Sequence, residues 1–367
     1  MDIYQELGLP AFINAVAPYT CFGGAVMSPA VLDAMAEAAK HGTLMADLHF
    51  RVGKAIARLT HNQAAYVSCG AAAGITLCIA TAIAGTDPQK SDRLPDTSQM
   101  KSRVLMYACD RGTECDVAIR NAGATIVNVG NQTGASESDW IAAIDDQTAA
   151  IVVLVWSEQG KIPLPRLRDL AHARGIQIIV DGAASVLPKE NLWKFTRDQG
   201  ADAVVISGGK GLGGPQSSGL VLGTQAMIDG CLHHGLPGVR IGRGMKVGKE
   251  EIAGLYAAVK QFMALDEFAE HAAHVEQADF IFQAAADLPG ITLRRPSPTR
   301  VELLFDPAGT SFEAARDWFL TNEPAILLRG SKDCLGIETS GLHPGDEQII
   351  SQQLRRFFLE ALPALRQ

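Results

Sequence analysis

Between about residues 64 and 222, short apolar and β-branched runs alternate with stretches of helical period. A chain patterned in this way forms a mostly parallel sheet covered by helices, because each run must bury both faces. The runs predict strands over residues 65–68, 103–107, 125–129, 150–155, 177–180, 203–207 and 219–222. Helices are predicted between them over 74–84, 115–121, 138–143 and 164–174. Residues 87–102 are polar and carry Pro88 and Pro95, which reads as a surface loop. After Val247 the texture changes to one long helical pattern, 249–285, and then to a mixture opening with strands over 291–295 and 300–305. The expected fold is α/β: an N-terminal segment and a large domain with a mostly parallel sheet over 1–248, then a connector helix and a small C-terminal α+β domain over 249–367.

Composition narrows the classes. Of 367 residues, 47% are hydrophobic and 20% charged, which excludes a disordered, collagen-like or coiled-coil chain. Forty Asp and Glu against thirty-two Lys and Arg give a net charge of -8, so no nucleic-acid partner is expected. The uncharged stretch 64–86 is long enough to span a membrane, but it is built from Ala, Gly, Ser, Thr and Cys and reads as a buried helix. No basic leader precedes an apolar run near Asp2 and Glu6, so a cytoplasmic protein is expected. The seven cysteines include no C-x-x-C pair and read as reduced thiols. Cys231, His233 and His234 have no second cluster to complete a metal site.

The chemistry concentrates in 203–223, AVVISGGKGLGGPQSSGLVLG, where a buried strand leads to Ser207 and a glycine-flanked Lys210. A lone strand-end lysine is ordinarily a solvated charge. Here the glycines leave room for a bulky ligand, and partial desolvation would make the amine a nucleophile. Upstream, IIVDGAA puts Asp181 at the carboxyl end of another strand, the edge where such sheets bind ligands. A helix cap or turn role is the plainer reading of that aspartate. Together, a strand-end carboxylate and a Schiff-base lysine suit pyridoxal 5'-phosphate (PLP), whose ring nitrogen needs an acidic partner. Ser68, Cys69, Gly70, Ala71 and Ala72 open an Ala-rich helix whose amides would suit the phosphate, with Ser207 as a further donor.

The order of phosphate loop, strand-end Asp and glycine-flanked Lys resembles fold-type-I PLP enzymes. More narrowly, Lys210-Gly-Leu-Gly-Gly-Pro-Gln216, with Phe12-Ile-Asn-Ala15, Arg111-Gly112-Thr-Glu114 and the segment 245–254, resembles the selenocysteine synthase (L-seryl-tRNA(Sec) selenium transferase) family. Its short relatives include D-glucosaminate-6-phosphate ammonia-lyase. The resemblance implies that Lys210 holds PLP, Asp181 meets the ring nitrogen, and Ser68 to Ala72 with Ser207 hold the phosphate.

It also offers Arg111 for a substrate anion, although a surface arginine is an equal reading. The usual C-terminal carboxylate clamp is not evident in 337–344, and Arg329 is the substitute. Arg243 and Lys246 would bring positive charge to a neighbouring subunit or simply face solvent. Glu158 reads as a turn residue or an acid, and His49 and His61 as hydrogen-bonded histidines or ring-stacking groups. The implied activity is α,β-elimination with ammonia release from an amino acid or amino-sugar acid, by a homo-dimer or higher homo-oligomer. Aminotransfer, aldol cleavage and racemisation remain open. Selenium transfer on tRNA is disfavoured by the acidic balance and by the few residues before Phe12.

Overall fold

The computed structural model describes residues 3–9, 11–156, 158–305 and 310–362. The chain divides into two compact units, Met1–Gly23 with Asp266–Gln367, and Gly24–Leu265. This division differs from the expected one at both ends. The first residues belong with the C-terminal unit, and the helix Lys249–Ala264 belongs with the large one.

In the smaller unit, β1 (Phe12–Asn14) is one of two strands in a parallel pair. In the larger unit, β2 (Ala64–Ser68), β3 (Arg103–Tyr107), β4 (Thr125–Val129), β5 (Thr148–Leu154), β6 (Gln177–Asp181), β7 (Ala203–Ser207) and β8 (Gly219–Gly223) form one sheet. Its order is β2-β8-β7-β6-β5-β3-β4, with β8 antiparallel to both neighbours and the other pairings parallel. All seven expected strands are present. Alternate residues face opposite cores: Ile178, Val180, Val204 and Ile206 on one side, Ile179, Val205, Val152 and Val221 on the other. The small-residue stretch forms the buried helix Gly70–Ala84, and no helix among the described residues is long and apolar enough to cross a membrane.

The expected single helix over 249–285 is broken. Asp266 has extended backbone, and its side chain accepts from the amides of Phe268 and Ala269, so a new helix Glu267–Ala285 starts there.

The smaller unit holds a four-stranded antiparallel sheet of β9 (Ile291–Ser297), β10 (Arg300–Phe305), β12 (Arg329–Ser331) and β13 (Cys334–Glu338) in the order β12-β13-β10-β9. The strand β11 (Ala325–Leu327) is the parallel partner of β1. Ile281, Leu303, Ile337 and Phe357 are among the side chains of this unit's core.

Candidate active site

Three strand ends of the larger unit meet at one edge. Ser68 and Ser207 are both in register with Gly219, so the three lie in one cross-strand row. Asp181 is in register with Val205 and with Leu154, which sets it beside that row.

Local packing makes the row possible. Gly70 begins its helix at φ +80, and the first amides of that helix have no intrahelical acceptor. A Cβ at Gly219 would lie 2.3 Å from the Gly70 carbonyl carbon and 2.6 Å from Ser68 Oγ. The lysine turn is equally close-packed: a Cβ at Gly209 would lie 2.4 Å from Gln216 Cα, and Gly208 donates its amide to the Ser218 carbonyl at 2.9 Å. Lys210 stands half-buried at the end of this turn, its carbonyl accepting from the Gly213 amide at 2.9 Å.

Asp181 is half-buried, and its Oδ1 accepts from the Ala183 amide at 3.0 Å. Burial pushes its carboxyl above the usual range. The Ala183 amide, the Cys115 thiol and the Lys210 charge act in the opposite direction without fully offsetting that push. Burial, then the neighbouring Asp181, drives the Cys115 thiol well up and keeps it protonated as a donor. A cavity of about 400 Å3 opens at the start of the helix Gly70–Ala84, lined by Cys69, Ala72, Thr76, Glu114, Val117 and Met245.

The remaining candidates are placed differently. Ser68 is buried and its hydroxyl donates to the Gly70 carbonyl at 2.8 Å, so it shapes the turn from inside. Cys69 is half-buried, and its thiol is pushed up by burial and by Glu251. The Arg111 guanidinium is held by Asp116 Oδ2 at 3.0 Å and by Asn128 Oδ1. Arg329 lies on β12 in the smaller unit, its stem against Gly336, and meets no carboxylate among the described residues.

Arg243, Lys246 and Glu158 are exposed. His49 is buried and stacked on Tyr66 at 5.1 Å, whereas His61 meets Trp193 edge-on at 5.0 Å. Cys231 lies in the core, 3.9 Å from Cys78 between sulfurs, and His233 and His234 bond Ser91 and the Gly85 carbonyl. The sequence reading missed Cys115, because nothing in a lone helical cysteine signals that it faces a strand 66 residues later.

This mostly parallel sheet, with Asp181, Lys210 and a helix N-terminus at its carboxyl edge, is that of a fold-type-I PLP-dependent enzyme. The residues fit that cofactor. The helix offers unpaired amides to a phosphate, and the undercompensated Asp181 carboxylate suits a protonated ring nitrogen.

The family described as L-seryl-tRNA selenium transferase matches residues 115–281. A 5'-C-glycyluridine monooxygenase-decarboxylase from a Streptomyces species is 29% identical, over 97% of this chain and 92% of its own. The D-glucosaminate-6-phosphate ammonia lyase of Salmonella typhimurium is 32% identical, over 71% of this chain and 70% of its own. A solved D-glucosaminate-6-phosphate ammonia-lyase superposes with a TM-score of 0.87 at 26% identity, covering 98% of this chain and 99% of that one. The chain belongs to the family described as L-seryl-tRNA selenium transferase.

Proposed function

We propose that the protein is a PLP-dependent lyase that removes the α-proton and a β-substituent from an amino acid or amino-sugar acid and releases ammonia and a 2-keto acid. The likeness to the solved ammonia-lyase along almost the whole of both chains carries this reading. When bound, PLP supplies an electron sink for negative charge at the α-carbon. Lys210 attaches the cofactor, and its released amine takes the α-proton. Asp181 holds the proton on the ring nitrogen. The amides of Gly70, Ala71 and Ala72, with Cys69 and the Ser207 hydroxyl, bind the phosphate, while Ser68 fixes their turn. Arg111 and Arg329 are the arginines proposed for the substrate anion. The substrate is a small molecule, not an aminoacyl-tRNA, and the working form is a homo-dimer or larger.

Purified protein is reduced with borohydride and peptide-mapped, with the pyridoxyl group expected on Lys210. β-Hydroxy amino acids and 2-amino sugar acids, with and without phosphate, are then screened for ammonia and keto acid without added acceptor. Product only in the presence of a keto-acid acceptor would make it an aminotransferase. A second reading, oxidative decarboxylation of an amino acid, is favoured by the relative that covers 97% of the chain; carbon dioxide release with oxygen consumption in the same screen would select it. Sedimentation at micromolar concentration tests the oligomer, and a concentration-independent 39.0 kDa species overturns it.

A further inference from the structure

One strand away from Asp181 lies a buried ion pair with no part in the reading above. Lys161 Nζ donates to Asp110 Oδ1 at 2.6 Å and to Oδ2 at 2.8 Å, and the side chains are only 7% and 2% exposed. Both partners also hold the same residue. Asp110 Oδ2 accepts from the Leu154 amide at 3.2 Å, and Lys161 Nζ donates to the Leu154 carbonyl at 2.6 Å. Leu154 is the last residue of β5 and pairs in register with Asp181, and the next amide, Val155, donates to the Asp181 carbonyl at 3.3 Å. The ammonium also sits over the Tyr107 ring, 5.3 Å from its centroid, while the Tyr107 hydroxyl accepts from the Ile162 amide at 3.1 Å.

Two fully desolvated charges are a poor way to gain stability, since apolar groups of similar volume serve as well or better. What they provide is fixed geometry. A strand end at a ligand-binding edge has backbone groups that water would otherwise satisfy loosely. Here opposite charges pin both polar groups of one residue, and the ladder passes that constraint to the neighbouring strand.

We propose that Asp110 and Lys161 are positioning residues that fix the end of β5, and through it the Asp181 carboxylate, for the cofactor ring. Neither touches the cofactor. The inference rests on the reading of Asp181 as the partner of the ring nitrogen.

The test measures PLP binding to apo protein, circular dichroism of the bound cofactor, and amide exchange at 154, 155 and 181, in Lys161→Met, Lys161→Arg and the double variant Asp110→Asn/Lys161→Met. Lys161→Met is expected to raise the PLP Kd about tenfold or more, weaken the induced dichroism and speed exchange at Leu154 and Val155. Lys161→Arg should recover most of the loss. The double variant removes the stranded charge, so its Tm should return toward wild type while the Kd and dichroism stay defective, a split that a purely structural pair would not show. If Lys161→Met does not fold, the other two variants carry the test.

Wild-type binding and dichroism in the double variant overturn the inference, provided Asp181→Asn is itself defective. If Asp181→Asn also matches wild type, the reading of Asp181 fails and takes the inference with it.

Discussion

Replacing Gly219 with alanine isolates the packing that forms the proposed phosphate cup. The new methyl would meet the Gly70 carbonyl carbon at 2.3 Å, its oxygen at 2.4 Å and Ser68 Oγ at 2.6 Å, and two of these three are backbone atoms that cannot rotate away. Overpacking of this kind costs about 1–3 kcal/mol, or a Tm loss of about 3–9 °C for a unit of this size. If half of the strain is relieved by withdrawing the first amides of the helix, PLP binding weakens about 2- to 13-fold.

Gly74→Ala is the matched control on the same helix. Its methyl would meet side-chain atoms, Val205 Cγ1 at 2.9 Å, Val221 Cγ2 at 3.0 Å and Ser68 Oγ at 3.1 Å. Removing a helix-interior glycine gains about 1 kcal/mol, so the net change should stay within about 1 kcal/mol. PLP titration of the apo proteins with thermal melts reads both effects. Wild-type Kd and Tm in Gly219→Ala, or equal damage from Gly74→Ala, would refute the argument.

Asp181→Asn should lower turnover about 10²–10⁴-fold, because a neutral amide cannot hold the ring proton; kcat on any accepted substrate checks it. Arg111→Ala removes the nearer of two arginines that face the nearly buried Asp116, so a Tm loss is expected even without substrate; an unchanged melt with a raised KM would show that the arginine serves only the substrate. Burial holds His49 down to about 4, against about 6.5 unfolded, so the unfolded chain binds more protons in that window. Stability is therefore lost as pH falls from about 6.5 to about 4, by about 3 kcal/mol from this group. His49→Phe, which also removes two buried nitrogens without partners among the described residues, should flatten that slope in urea unfolding at pH 4.5 and 7; a parallel slope would count against it.

The larger unit was legible because its signals are local. Each strand is a short apolar run whose two faces must be covered, and Asp181 and Lys210 fall at the carboxyl edge of that sheet because β6 and β7 are parallel neighbours. What was illegible depends on partners distant in sequence. Asp110 and Lys161 are 51 residues apart, and neither sits in a motif. The inward turn of Ser68 follows from how closely Gly219 approaches Gly70, which strand patterning does not report. The break in the connector was visible in principle, since Asp266 precedes Glu267 as a cap would, but continuous helical periodicity masked it.

The pairing of β1 with β11 bears on how the protein is made. Phe12–Asn14 leaves the ribosome about 310 residues ahead of its partner Ala325–Leu327. At about 5–20 residues per second, the first strand waits some 15–60 s with its edge unpaired. Meanwhile the intervening unit Gly24–Leu265 has all its own strands available and can fold. The smaller unit therefore closes only after Gly24–Leu265 has been made in full, so its first strand waits longest for a partner.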